Sequence, residues 1–202
     1  MNVFMPYANA KDSVQALDNR RLTKQVLECH QIMNVILKLH YEQTSDTPTR
    51  IGYAHHPVVQ YYRKNVPFLI CYAKEACYEY YQRFGRHHKY EPDFVCYFNN
   101  LPQILRVFEP ATIFYHAEKY RCYTPDRSMS LFKNKLCDKW LSDLFKGIEP
   151  CWIKIPEFFI HYIILNHDEL LYQIKYMPHS QKYDDFINRI WEKYHNADST
   201  NK

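Results

Sequence analysis

Between residues 20 and 28 the chain carries Arg20, Arg21, Lys24 and Glu28, three cations and a carboxylate within nine positions. On a helix Arg20, Lys24 and Glu28 fall four apart and share one stripe. A carboxylate held beside cations stays ionised; it can stabilise an oxocarbenium-like sugar or take a proton from it. The same spacing also describes an ordinary solvated helix face, whose ion pairs are worth only ~0.2–0.5 kcal/mol each. Two features favour chemistry: Glu28 sits between the apolar Leu27 and Cys29, and the stretch lies close to the N-terminus. An α-amine has a reference pKa of about 8, so a neutral fraction can attack a sugar C1′ and form a Schiff base. An N-terminal arm folded over this helix would bring the Met1 amine towards Glu28.

Further cations surround this stretch in the sequence. Arg83, Arg86 and Lys89 flank His87 and His88, and Lys119, Arg121, Arg127, Lys133 and Lys135 follow. Such residues at helix starts and in loops grip phosphates, which positions a duplex without reading its sequence. Tyr61, Tyr62, Tyr90, Tyr120 and Tyr123 lie among them and offer faces for stacking on bases. With 19 tyrosines in the chain, most must serve the core or the surface. Metal ligation competes through His55-His56, His87-His88, His116, His161 and His167. Adjacent histidines on a helix diverge by roughly 100°, and no HExxH or CxxC spacing occurs, so no metal or other cofactor is expected. Cys29-His30 are neighbours in sequence, which does not make them face each other as a nucleophile and its base.

The elements that must position these groups read as helices. The chain of 202 residues is long enough for a real core and is expected to form one domain, 1–202. Only 3 glycines argue against Gly-rich phosphate loops and tight hairpins. Residues 1–137 hold 18 Lys/Arg against 12 Asp/Glu, whereas 138–202 hold 8 against 10, so one positive face is expected, suited to an anionic partner. Seven scattered cysteines, and no leader or membrane-spanning run, suggest reduced thiols in a cytoplasmic, soluble protein.

Residues 1–11 form an apolar N-terminal arm in which Val3, Phe4 and Met5 are suited to burial. A helical turn over 13–17 leads to a helix running to about His40, capped by Asp18 or Asn19, with Leu22, Val26, Cys29, Met33 and Ile36 on its apolar face. Pro57 starts a short helix to Lys64, and Pro67 a longer one closed by Gly85. Short helices are expected over 102–108 and 110–119, then one from Met129 to Leu144 closed by Gly147. Phe158–Leu165 reads as a buried helix with a strand as the alternative. Helices over 168–176 and 182–195 and a fraying tail at 196–202 complete an all-α fold.

The stretch Phe4-Met-Pro6, then Leu17-Asp-x-Arg-Arg-Leu-x-Lys-Gln-x-x-Glu28, followed by His56-Pro57 and Tyr61-Tyr62, resembles the pyrimidine-dimer DNA glycosylase family, whose founding type is phage endonuclease V. The resemblance covers roughly residues 1–90. It implies a compact all-α domain that cuts the glycosidic bond of a damaged pyrimidine in double-stranded DNA and then the backbone. In that family an N-terminal amine is the nucleophile, a glutamate on the first long helix assists, and arginines grip phosphates. Carried over, Glu28 matches the glutamate and Arg21 a DNA-contacting cation; Arg20, Lys24, Arg86 and Lys89 are added on local chemistry. The family's nucleophile is a Thr exposed by removal of the initiator Met. Here residue 2 is Asn, too large for routine removal, so the amine is expected to be that of Met1. Leu27 and Gln31 stand where the family has arginines. The expectation is a monomeric DNA glycosylase and abasic-site lyase. Its alternatives are a non-catalytic DNA-binding protein on the same scaffold and a helical structural or protein-interaction domain.

Overall fold

A computed structural model describes residues 1–42, 51–100, 125–175 and 180–199. Helices account for every regular element among them. These are α1 (Ala10–Gln15), α2 (Asn19–Glu42), α3 (Pro57–Arg63), α4 (Val66–Phe84), α5 (Glu91–Asn99), α6 (Pro125–Leu144), α7 (Glu157–Leu165), α8 (His167–Ile174) and α9 (Ser180–Ser199). The all-α expectation therefore holds. No helix among the described residues is long and apolar enough to cross a membrane. The chain divides into two compact units, Met1–Met129 and Ser130–Lys202.

In the first unit α2 and α4 form the central pair, with α1 and α5 packed on α4 and α3 wedged against both. The expected stripe of α2, Leu22, Val26, Cys29, Met33 and Ile36, is fully buried, and Ile32 joins it. It meets Leu69, Ile70, Tyr72, Ala73, Ala76 and Cys77 of α4, which are buried as well. Local signals set the helix limits. Asn9 Oδ1 accepts the Asp12 N–H at 2.8 Å and caps α1. Gly85, at φ +64°, closes α4 through its N–H to the Tyr81 carbonyl, a left-handed conformation that a Cβ disfavours.

One tie fixes the α1–α2 corner. The Arg83 side chain, 2% exposed, reaches from α4 to the end of α1, the start of α2 and the link between them. Its Nε donates to Glu79 Oε1 at 2.7 Å; Nη1 donates to the Leu17 carbonyl at 2.6 Å and Asn19 Oδ1 at 3.3 Å; Nη2 donates to the Gln15 carbonyl at 3.0 Å. It thereby satisfies carbonyls left open where α1 ends. Helix α5 was not anticipated, although Pro92 at its first turn between Glu91 and Asp93 is a helix-start signature. It docks on α2 through His30, which stacks on Tyr90 at 3.9 Å and meets Asp93 Oδ2 at 3.0 Å.

The second unit has its own core of Leu136, Trp140, Phe159, Ile163, Leu170, Tyr183, Phe186, Ile187 and Ile190, with α9 laid across α7 and α8. Trp140 is buried among Trp152, Phe158 and Phe159. Residues 157–165 are helical, which decides the helix-or-strand question left open by their apolar run. Gly147 has φ +79° after the end of α6, and α9 extends to Ser199. The helices expected over 102–108 and 110–119 lie outside the described residues.

Candidate active site

The arm and α2 meet through main-chain hydrogen bonds. Val3, Phe4 and Pro6 are buried, so the arm is anchored by apolar side chains while its peptide groups face α2. Those groups need partners, and with no strand beside them, side chains supply them. Gln25, 1% exposed, pairs with two at once: its Oε1 accepts the Phe4 N–H at 2.9 Å and its Nε2 donates to the Asn2 carbonyl at 2.5 Å. The Tyr72 hydroxyl of α4 donates to the Phe4 carbonyl at 2.8 Å and lies 3.4 Å from Gln25 Oε1. One turn along α2, Glu28 Oε2 accepts the Asn2 N–H at 2.8 Å.

This last contact sets Met1 one residue from the carboxylate. Three bonds, at most about 4.3 Å of chain, separate the Met1 nitrogen from the Asn2 nitrogen that touches Glu28. The other carboxylate oxygen, Glu28 Oε1, lies 3.6 Å from Lys24 Nζ. Glu28 is 12% exposed and Lys24 66% exposed, so the carboxylate is recessed and the ammonium projects. His56, at the start of α3, feels both groups. Burial and the terminal ammonium pull its pKa below the usual 6.5, and Glu28 opposes them.

The remaining cations divide. Arg21 is only 10% exposed; its Nη1 binds Asp18 at 3.1 Å at the start of α2. Arg20, Lys24, Arg86 and Lys89 are exposed. Lys89 lies 4.7 Å from the Tyr90 ring centroid. Two observations bring these residues to one end of the unit. Arg83 binds Leu17 and Asn19 where α2 begins, and the Thr23 main chain is among the groups that act on the His88 imidazole. The segment holding Arg86 and Lys89 therefore runs beside the first turns of α2. Along the helix axis Lys24 and Glu28 are about 6 Å apart. Arg83, grouped by sequence with the cations available to phosphate, is consumed by its buried tie instead. Tyr62 is buried and Tyr90 stacks on His30, while Tyr61 remains 44% exposed.

Other nucleophiles nearby are disarmed. Burial raises the Cys29 thiol and the Tyr72 phenol well above their ordinary values, and the Cys77 thiol is pushed up to about 12. All three stay protonated and weakly nucleophilic near neutrality. Among the described residues no three of His, Cys, Asp and Glu gather as a metal ion would require.

Sequence reasoning assigned no role to Gln25 or Tyr72, and took His56 only as a possible metal ligand and as part of the His56-Pro57 resemblance. Gln25 had a signal: it is a polar residue between Leu22 and Cys29 on the buried stripe of α2, and a buried amide must find partners. Tyr72 had none, because its partner lies 68 positions away.

Residues 1–92 match the family model described as pyrimidine dimer DNA glycosylase. No curated protein and no solved structure matches the chain.

Proposed function

We propose, from the match of residues 1–92 to the pyrimidine dimer DNA glycosylase family model, that the chain is a member of that family which removes a damaged pyrimidine from duplex DNA and then opens the strand at the abasic site. The observation that carries this reading is the Asn2 N–H on Glu28 Oε2, which holds the terminal amine within one residue of a recessed carboxylate.

In this reaction the neutral Met1 amine attacks C1′ of a nucleotide turned out of the stack. The C1′–N bond breaks, the pyrimidine leaves with the bonding pair, and the proton it takes up balances the one that the amine nitrogen loses on bonding to C1′. Opening of the C1′–O4′ bond, with protonation of O4′, gives the imine joined to the enzyme. Loss of a C2′ proton then expels the 3′ phosphate, and water hydrolyses the imine to release the amine. Glu28 stabilises the cationic sugar and exchanges the protons at O4′ and C2′. Arg20, Lys24, Arg86 and Lys89 hold phosphates, and Arg21 adds positive potential from beneath the surface.

Borohydride trapping on an abasic-site duplex tests the reading. The expected result is a covalent adduct whose peptide mass places it on Met1 and which N-terminal acetylation abolishes. An adduct on Asn2 would show that a trimmed chain is the active form, since that nitrogen is already on the carboxylate. Glu28→Gln keeps an acceptor for the Asn2 N–H but removes the charge, and adduct formation should slow about 100-fold or more. No adduct on any damaged or abasic duplex would overturn the proposal.

A further inference from the structure

The turn before α3 holds a second set of groups that the reaction scheme does not use. Tyr53 has φ +64°, the only positive φ at a non-glycine among the described residues. A bulky side chain resists that conformation, which persists only where surrounding contacts enforce it. They do so here: the His56 N–H donates to the Tyr53 carbonyl at 3.0 Å, and Gln60 Nε2 donates to the Ala54 carbonyl at 2.5 Å. The ring held out by this turn is 66% exposed and stands edge-on to the His56 imidazole, with centroids 6.1 Å apart.

His56 is locked from the other side. Its Nδ1 accepts the Val58 N–H at 3.3 Å, capping α3. An Nδ1 that accepts cannot carry the proton of a neutral imidazole, so Nε2 carries it and the ring is a donor of fixed tautomer. The charges of the terminal amine and of Glu28 both reach this ring, and burial together with the ammonium favours its neutral form. A strained exposed aromatic and a fixed neutral donor therefore stand at the start of α3, a helix packed on the α2 that carries Glu28, with the donor ring inside the field of the amine and the carboxylate. A sugar–phosphate with a displaced base needs a stacking face and a neutral donor to oxygen, beside the group that attacks it.

We propose that Tyr53 and His56 form the nucleotide-holding wall of the site, Tyr53 stacking on a base at the lesion and His56 Nε2–H donating to an oxygen of the deoxyribose phosphate under attack. This rests on the reading of the arm and Glu28 as a DNA site, but binding alone can test it. The probe is a duplex carrying a tetrahydrofuran abasic analogue, compared by fluorescence anisotropy with the same duplex undamaged. His56→Asn retains a side-chain oxygen to cap α3 and deletes the Nε2–H. Tyr53→Gly relaxes the backbone and deletes the ring. Both variants should keep the wild-type melting temperature or exceed it. Each should lose about tenfold or more in affinity for the abasic analogue, with binding to undamaged duplex unchanged. Equal preference in wild type and both variants overturns the proposal. Loss of preference together with failure of borohydride trapping in the wild type would uphold the wall and remove the amine chemistry.

Discussion

Gln25→Ala puts the arm to its severest test. The substitution orphans the buried Phe4 N–H, at about 1–3 kcal/mol, and strips the Asn2 carbonyl of its donor, at about 0.5–1.5 kcal/mol. The loss is therefore about 1.5–4.5 kcal/mol if the arm stays in place. Ordering some five residues costs about 1–2 kcal/mol each. Burial of Val3 and Phe4 returns about 1.5–3 kcal/mol apiece, and each main-chain hydrogen bond adds about 1 kcal/mol. These opposing totals are similar in size, so the arm docks by a margin comparable with what Gln25 supplies. The expected outcome is release of the arm with the helical body intact. The Val3 and Phe4 methyl and ring resonances should collapse towards random-coil positions while those of Ile32 and Ile70 hold. Stability in urea should fall by no more than about 4.5 kcal/mol. Gln25→Glu refines the test. One oxygen still accepts from Phe4, but the other faces the Asn2 carbonyl until it is protonated. Docking therefore raises that carboxyl's pKa above its value of about 4.3 in the unfolded chain, so the arm is held at low pH and released as pH rises through the raised value. Unchanged arm resonances in Gln25→Ala, with a stability loss under about 0.5 kcal/mol, would refute the clamp.

Other tests probe the surroundings of the arm. Arg83→Met should cost about 3–5 kcal/mol in chemical denaturation, because it strands the buried Glu79 carboxylate and three oxygens at the α1–α2 corner. Replacing Lys24, Arg86 or Lys89 by Ala should each reduce the slope of log affinity against log salt by about 0.9 in duplex titrations, if each neutralises one phosphate. His56 and His88 both have pKa values held below the usual 6.5, chiefly by burial. The unfolded chain takes up those protons first, so their contribution to stability is complete above about pH 6.5 and is lost as pH falls through the depressed folded values. Melting temperatures measured from pH 8 to pH 5 should show this decline, and His88→Gln should flatten it.

Much of the helical framework was legible because its signals are local. The apolar spacing of α2, Pro57 at the start of α3 and Gly85 at the end of α4 each act within a few residues, and the structure places them as read. Helix α5 carried the same kind of signal in Glu91-Pro92-Asp93 and was overlooked. The charged stripe of α2 was visible as a pattern, but not the division of labour within it. Arg21 turns to Asp18, Lys24 projects, and Glu28 reaches the arm. Arg83 shows the limit of reading charge alone: an arginine beside Arg86 and Lys89 looks like a phosphate ligand, yet backbone carbonyls 66 and 68 residues away and the Asn19 side-chain oxygen 64 residues away claim it. The strain at Tyr53 is likewise invisible in sequence, since nothing in the residue type announces a left-handed backbone.

The clamp on the arm recognises peptide groups and none of the polar side chains, so residues 1–5 behave like a short peptide bound to a receptor and tethered to it. A tether of this length gives a local concentration in the millimolar range, which an untethered copy of the peptide would have to exceed to displace it. Occupancy of the receptor is therefore set by the chain itself and is independent of protein concentration. In the proposed reaction, DNA that reached the recessed carboxylate would meet an amine held there by the arm, and a duplex that pulled the arm away would remove that amine in the same movement.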